Sequence, residues 1–169
     1  TGGVCEAVLR LHEELVRIGC EAEIIDCPSK ASGSDCFSIV HGLWQWPGVV
    51  AYQNWKRRKA PYLVFPHGML DPWFKTTFPL KHLKKQLYWW WRQGQILRNA
   101  HVLCFTTEDE RKLAQNTFWP YECREVLTGL GVTDPPQNEE EQRIVFEKKF
   151  PEILGKKILL YMGRIHPKK

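Results

Sequence analysis

No CxxC pair occurs in the 169-residue sequence, although it holds six cysteines, Cys5, Cys20, Cys27, Cys36, Cys104 and Cys123. Structural zinc sites draw on paired ligands at short spacing, so no metal site is expected. The cysteines lie mostly in or beside apolar segments rather than in a small loop-rich scaffold. Reduced thiols in a cytoplasmic protein are therefore the expected state. No apolar run approaches the ~18 residues that a membrane-spanning helix needs. Neither a full GxGxxG fingerprint nor a Walker loop is present, and there are no internal repeats or low-complexity tracts. With 43% hydrophobic and 25% charged residues, disordered and fibrous classes are excluded and a globular chain is expected.

What the sequence does have is positive charge and aromatic rings. Lys and Arg outnumber Asp and Glu by 24 − 19 = 5, and there are 8 tryptophans. A basic, aromatic-rich chain suits anionic partners: phosphorylated small molecules, an anionic membrane surface or nucleic acid.

Apolar and polar positions alternate between two periods along the chain. Val4, Ala7, Val8, Leu11, Leu15 and Ile18 share one face of a helix that opens at Thr1-Gly2-Gly3 and ends at Gly19. Strands are then read in "EAEIID", "FSIVHGLW", "PYLVFPHG" and "HVLCFT". Between them lie a short basic helix, "VVAYQNWKRRK", and a long one, "PLKHLKKQLYWWWRQGQILRNA". Thr107 and Glu110 have the spacing of a capping box at the start of "DERKLAQNTF". Strands alternating with helices predict an α/β fold, a Rossmann-like, mainly parallel sheet with helices on both faces. We expect a first domain over 1–133, a linker or surface helix over 134–155, and over 156–169 the first strand ("KKILLYMG") and turn of a second domain. A glycine-opened helix without a strand before it, and a strand at the other end, lead us to expect a piece of a longer protein.

Several residues stand where α/β sheets carry chemistry. Gly2 and Gly3 leave backbone N–H groups free at a helix N-terminus, where a diphosphate can approach; a pair of glycines is equally a flexible terminus. In "YMGRIHPKK", Arg164 and Lys169 follow a strand and could clamp a pyrophosphate, unless they are only a basic tail. His67 stands in the stiff turn "FPHG" at the carboxyl end of an apolar strand. Asp71, four residues on, could bond it or could cap the next turn. His41, in "VHGLW", is a second histidine at a strand end.

In order along the chain, "GG–V–L–L–G", "IVHGLW", "VFPHGMLDPWF", "FTTEDE", "GLGV" and "LYMGRIHPKK" resemble the GT-B-fold glycosyltransferases of the large retaining group 4. The resemblance implies two Rossmann-like domains facing a cleft, with the present chain supplying the N-terminal, acceptor-side domain and the start of the donor domain. It implies a nucleotide-diphosphate sugar as co-substrate, a glycan or lipid-linked acceptor, retention of configuration, and neither metal nor other cofactor. On that resemblance His67 is catalytic and contacts the transferred sugar. Gly2 and Gly3 lie near the donor diphosphate, and Arg164 and Lys169 neutralise it as it departs. The part of the donor domain in which the family carries its Glu-x7-Glu pattern is not expected within this segment, so the isolated segment is expected to be inactive.

The long helix adds a further expectation. Leu80, Leu83, Leu87, Trp90, Trp91, Gly94 and Leu97 gather in one sector, which reads as the core face. Lys81, Lys85 and Arg92 gather in another, edged by Tyr88, Trp89 and Ile96. Lys81, Lys85, Trp89 and Arg92 then make a candidate membrane face, for peripheral contact with anionic lipid at the inner membrane face. The bland alternative is a solvated basic face. A non-enzymatic alternative for the whole chain is a basic-aromatic module binding membrane or nucleic acid through "WKRRK" and "KHLKKQLYWWWR". Nucleic acid is not the expected partner, because the basic residues do not recur on successive strands.

Overall fold

The computed structural model of the chain describes residues 2–31, 33, 35–131 and 137–161. It divides into two compact units, Thr1–Gly131 and Val132–Lys169.

The first unit opens with α1 (Gly2–Arg17), which ends as its sequence requires. Gly19 takes φ +86°, its N–H bonds Val16 O, and the N–H of Cys20 reaches back to Leu15 O. That pair of bonds is a Schellman cap. The strand expected in "EAEIID" does not form: residues 20–26 have no ladder partner. An extended segment persists as a strand only where a neighbour takes its backbone N–H and C=O groups. The sheet ends at β1, and Ile24 and Ile25 stay 40% and 37% exposed.

After a one-turn helix α2 (Pro28–Ala31), four strands form one parallel sheet in the order β1-β2-β3-β4: β1 (Ser38–His41), β2 (Tyr62–Phe65), β3 (Val102–Phe105) and β4 (Glu125–Leu127). The expected α/β architecture is what these residues build. Strands covered on both faces read as unbroken apolar runs, and "YLVF" and "VLCF" are such runs. Tyr62, Val64, Leu103 and Phe105 from these two strands are buried to 1% exposure or less.

Helices make the crossovers. α3 (Trp46–Arg58) carries Pro47 in its first turn and stops at Lys59, whose left-handed φ of +61° lets its N–H bond Trp55 O. Between β2 and β3 run α4 (Trp73–Thr77), α5 (Pro79–Tyr88), a π-helical turn (Trp89–Gln93) and α6 (Gly94–Asn99). The sequence reads this stretch as one regular helix, and the π turn interrupts it. α7 (Glu108–Ala114) joins β3 to β4.

Of the face expected to enter the core from this long helix, Leu97 does so and the leucines and tryptophans before it do not. Leu80, Leu83, Leu87, Trp90 and Trp91 are all exposed, whereas Trp89, Gln93, Ile96 and Leu97 are buried. Inward-facing α5 side chains are polar: His82 stacks on Phe118, Gln86 bonds the backbone of Trp119, and Lys85 lies over the ring of Trp44. Trp89 then fills the core, stacked on Phe118 and Tyr121.

In the second unit, α8 (Glu139–Lys149) starts with three glutamates and ends with two lysines, matching the helix dipole. A 3₁₀ turn (Pro151–Ile153) follows. Residues 156–161 form no strand, since no ladder reaches them among the described residues; residues 162 and 163 of the expected strand lie outside the described residues.

Candidate functional site

The sheet's carboxyl edge gathers the side chains that the topology allows to meet. β1 and β2 run parallel with His41 opposite Phe65, so a residue two beyond β2 lies beside His41. That residue is His67. His41 Nδ1 and His67 Nε2 are 2.9 Å apart, a hydrogen bond between strand ends. The His41 ring stacks on Phe65 with centroids 5.0 Å apart, and His67 stacks on both.

The turn that carries His67 is tightly specified. The N–H of Met69 bonds Pro66 O at 3.1 Å. The two residues between them have positive φ, +50° at His67 and +71° at Gly68. Two successive positive φ values are the pattern of a type I′ turn, which glycine meets freely and a histidine only at some cost. Beyond the turn, the buried Thr117 hydroxyl donates to Leu70 O. Asp71 accepts the N–H of Trp73 at 2.8 Å, the turn-capping role that was one of its two expected readings.

Glu110 fastens this turn to β3 and α7. Thr107 caps α7 as its spacing predicts, accepting the N–H of Glu110. The Glu110 carboxylate passes the cap: Oε1 accepts the N–H of Gly68 at 2.6 Å. Its Oε2 accepts both the N–H and the hydroxyl of Thr106, at 3.0 and 2.8 Å. One carboxylate thus holds the loops after β2 and β3 together.

Burial pushes His41 down to about 4, and the neighbouring His67 adds to the shift. Burial also lowers His67, opposed by the negative charge of Glu110. Both rings are neutral near pH 7, so the bond between them holds a single proton. Neither His41 Nε2 nor His67 Nδ1 is a buried unpartnered atom among the described residues. Such an edge can present a neutral imidazole to a ligand in a fixed orientation.

Gly2 and Gly3 start α1 in open space; a Cβ built on either meets nothing within 4 Å. Arg164 and Lys169 lie outside the described residues. Of the candidate membrane face, Trp89 is buried rather than exposed, at 1%, with its Nε1–H bonded to Pro120 O. Lys85 is drawn over Trp44 and Phe74, where burial lowers its pKa. Arg92 turns toward α3, lining a surface cavity of about 430 Å³ with Tyr52, Gln53, Lys56 and Arg57. Lys81 is exposed on α5, with its ammonium over the ring of Phe78. Cys5, Cys20, Cys27, Cys104 and Cys123 are free thiols, and no helix among the described residues is long and apolar enough to cross a membrane.

Reading the sequence alone undervalued two residues. His41 had a usable signal, a second His-Gly at a strand end in the neighbouring strand. Glu110 had none beyond its cap spacing, which accounts for its backbone position and not for where its carboxylate goes.

A family model described as a glycosyl transferase 4-like domain matches residues 31–128, the segment that holds all four strands and the whole strand-edge cluster. No curated protein matches the chain, and no solved structure does.

Proposed function

Because the chain belongs to the glycosyl transferase 4-like family, we propose that it serves transfer of a sugar from a nucleotide-diphosphate donor to a glycan or lipid-linked acceptor, with retention and without a metal ion. The observation that carries this reading is the placement of His67. It is a neutral imidazole, half-buried, held in a left-handed turn at the carboxyl edge of a parallel sheet, where open α/β sheets bind ligands.

Charge builds on the departing phosphate as the sugar acquires oxocarbenium character, and fixed cations and N–H dipoles stabilise that charge. Arg164 and Lys169 are the proposed cations, and the N–H groups at Gly2 and Gly3 the proposed dipoles. His67 is proposed to hydrogen-bond the transferred sugar, keeping it oriented as the bond to phosphate lengthens.

The test is to incubate the intact protein with a panel of UDP-, GDP- and ADP-sugars and acceptor glycans or lipids, with and without EDTA. Release of nucleoside diphosphate together with an α-linked product from an α-linked donor, unaffected by EDTA, is the expected result. Product of inverted configuration, or activity abolished by EDTA and restored by a divalent ion, would refute the corresponding part.

A second reading, peripheral contact with an anionic lipid surface, is supported by a different face from the one expected. Leu80, Leu83, Leu87 and Trp91 form an outward ridge on α5 and the π turn, 56–83% exposed. The surrounding chain, residues 72–107, carries Lys75, Lys81, Lys84, Lys85, Arg92 and Arg98 and no Asp or Glu. Arg98 pairs with Glu122 at 3.1 Å and Lys85 turns in over Trp44, but exposed apolar side chains flanked by the other cations suit a headgroup region of negative charge. Co-sedimentation with phosphatidylglycerol vesicles, lost in Leu83→Glu and absent with phosphatidylcholine alone, is expected; equal binding by Leu83→Glu would rule this ridge out.

A further inference from the structure

His41 has no role in the function proposed so far, yet its contact with His67 settles a property on which any use of His67 depends. Two neutral imidazoles joined Nδ1 to Nε2 have two arrangements. Either His67 Nε2–H donates to His41 Nδ1, or His41 Nδ1–H donates to His67 Nε2. The first puts both rings in the Nε2–H form, the tautomer that neutral histidine side chains favour in water; the second puts both in the less favoured Nδ1–H form. Nothing in the surrounding bonds opposes the first. The hydrogen bonds of Glu110 go to Gly68 and Thr106 and take no proton from either ring, and the rings' outer nitrogens are not buried without partners among the described residues.

We propose that His41 is a positioning residue for His67. Through the 2.9 Å bond it holds the His67 ring in its Nε2–H form and leaves Nδ1 as an open acceptor at the sheet edge. Stacking on Phe65 keeps the two rings from rotating out of this bond, and the fixed turn at Pro66–Met69 sets where Nδ1 points. An acceptor there takes a hydrogen bond from a ligand hydroxyl and repels a ligand oxygen that lacks a proton. On the glycosyl-transfer reading, on which this part rests, the partner is a hydroxyl group of the transferred sugar, so a donor deoxygenated at that position loses the contact. His41 itself touches no reacting atom.

The experiment is nitrogen-15 NMR on the intact protein labelled at histidine, using two-bond nitrogen–proton correlations to assign the tautomer of each ring at pH 7.5. The wild type is expected to show His67 protonated at Nε2 and bare at Nδ1. His41→Phe keeps the aromatic stack and removes the acceptor, so the two His67 nitrogen shifts are expected to move toward each other as the tautomers mix. His41→Asn, whose amide oxygen can take the same proton, is expected to restore the wild-type pattern. Where donor turnover is measurable, kcat should fall in His41→Phe by up to about a hundredfold, the effect of a misplaced catalytic group, with partial recovery in His41→Asn. A wild-type His67 protonated at Nδ1 would overturn the proposal, and so would an unchanged pattern in a folded His41→Phe. A wild-type His67 protonated at Nδ1 overturns the proposal even if His41→Phe does not fold, and His41→Asn and His41→Gln then serve as the folded variants in which the two nitrogen shifts are compared. Because NMR reads the tautomer without substrate, its failure is distinct from failure of the glycosyl-transfer reading, which would appear as absence of donor turnover in the wild type.

Discussion

The indole of Trp89 lies flat on the ring of Phe118, centroids 4.9 Å apart and planes 13° apart, with its Nε1–H bonded to Pro120 O at 2.9 Å. This pair ties the π turn to the segment after α7 and places Trp89 at the centre of the core. Its neighbour Trp91 is 71% exposed. The two tryptophans should therefore respond oppositely to truncation. Trp89→Ala is expected to cost about 3–5 kcal/mol through lost burial and a residual cavity. Trp91→Ala should stay within about 0.5 kcal/mol of wild type. Urea midpoints of the two variants check this directly.

Stability should fall with acidification through the histidine range. His41 has a folded value of about 4 against an ordinary 6.5, and His67 is lowered in the same direction. Above about pH 6.5 both rings are neutral folded or unfolded, and neither contributes to the pH dependence. As pH falls from about 6.5 toward about 4, the unfolded chain binds protons that the folded chain excludes, so the unfolded state gains. Denaturant midpoints measured between pH 7.5 and 4.5 should decline, and His41→Phe should decline less steeply over that window.

Glu110 should matter for stability although it is neither core nor an ion-pair partner among the described residues. Removing its carboxylate leaves the N–H of Gly68 and the N–H and hydroxyl of Thr106 without their acceptor. Glu110→Ala is expected to cost about 2 kcal/mol, within the range for stranded donors, and Glu110→Gln less, since an amide oxygen can still accept one of these bonds. Thermal unfolding of both variants measures the difference.

The two glycines of the strand-edge turns should differ when given a side chain. Gly68 takes φ +71° with nothing within 4 Å of a built Cβ. Gly68→Ala should therefore cost only the left-handed strain of about 1–2 kcal/mol. Gly42 takes φ +84° and its Cβ would meet Met69 Cε at 3.1 Å, so Gly42→Ala should be the more destabilising of the two in a denaturant titration.

The sheet was legible because "YLVF" and "VLCF" leave no polar face, and only a strand covered on both sides suits such a run. His67 was legible because Pro66 and Gly68 announce a sharp turn at a strand end. The long helix misled because it is apolar over much of its circumference. Its packing face recruits His82, Lys85 and Gln86 through stacking, cation–π contact and backbone hydrogen bonds, none of which hydrophobic periodicity registers. The π turn then shifts the register, so residues beyond Trp89 no longer follow a regular wheel. "EAEIID" alternates as a strand should, but a strand also needs a partner, and no local pattern supplies one. Glu110 lay hidden for the same reason: its contact with Gly68 spans 42 residues.

The most direct measurement is single-turnover kinetics of donor consumption by the intact protein, comparing wild type with His67→Ala at saturating nucleotide sugar. The account predicts a fall in the rate of sugar transfer of about a hundredfold or more, in the range for losing a group that acts on the transition state, with donor affinity changed far less. Transfer at the wild-type rate by folded His67→Ala would contradict it and remove His67 from the chemistry.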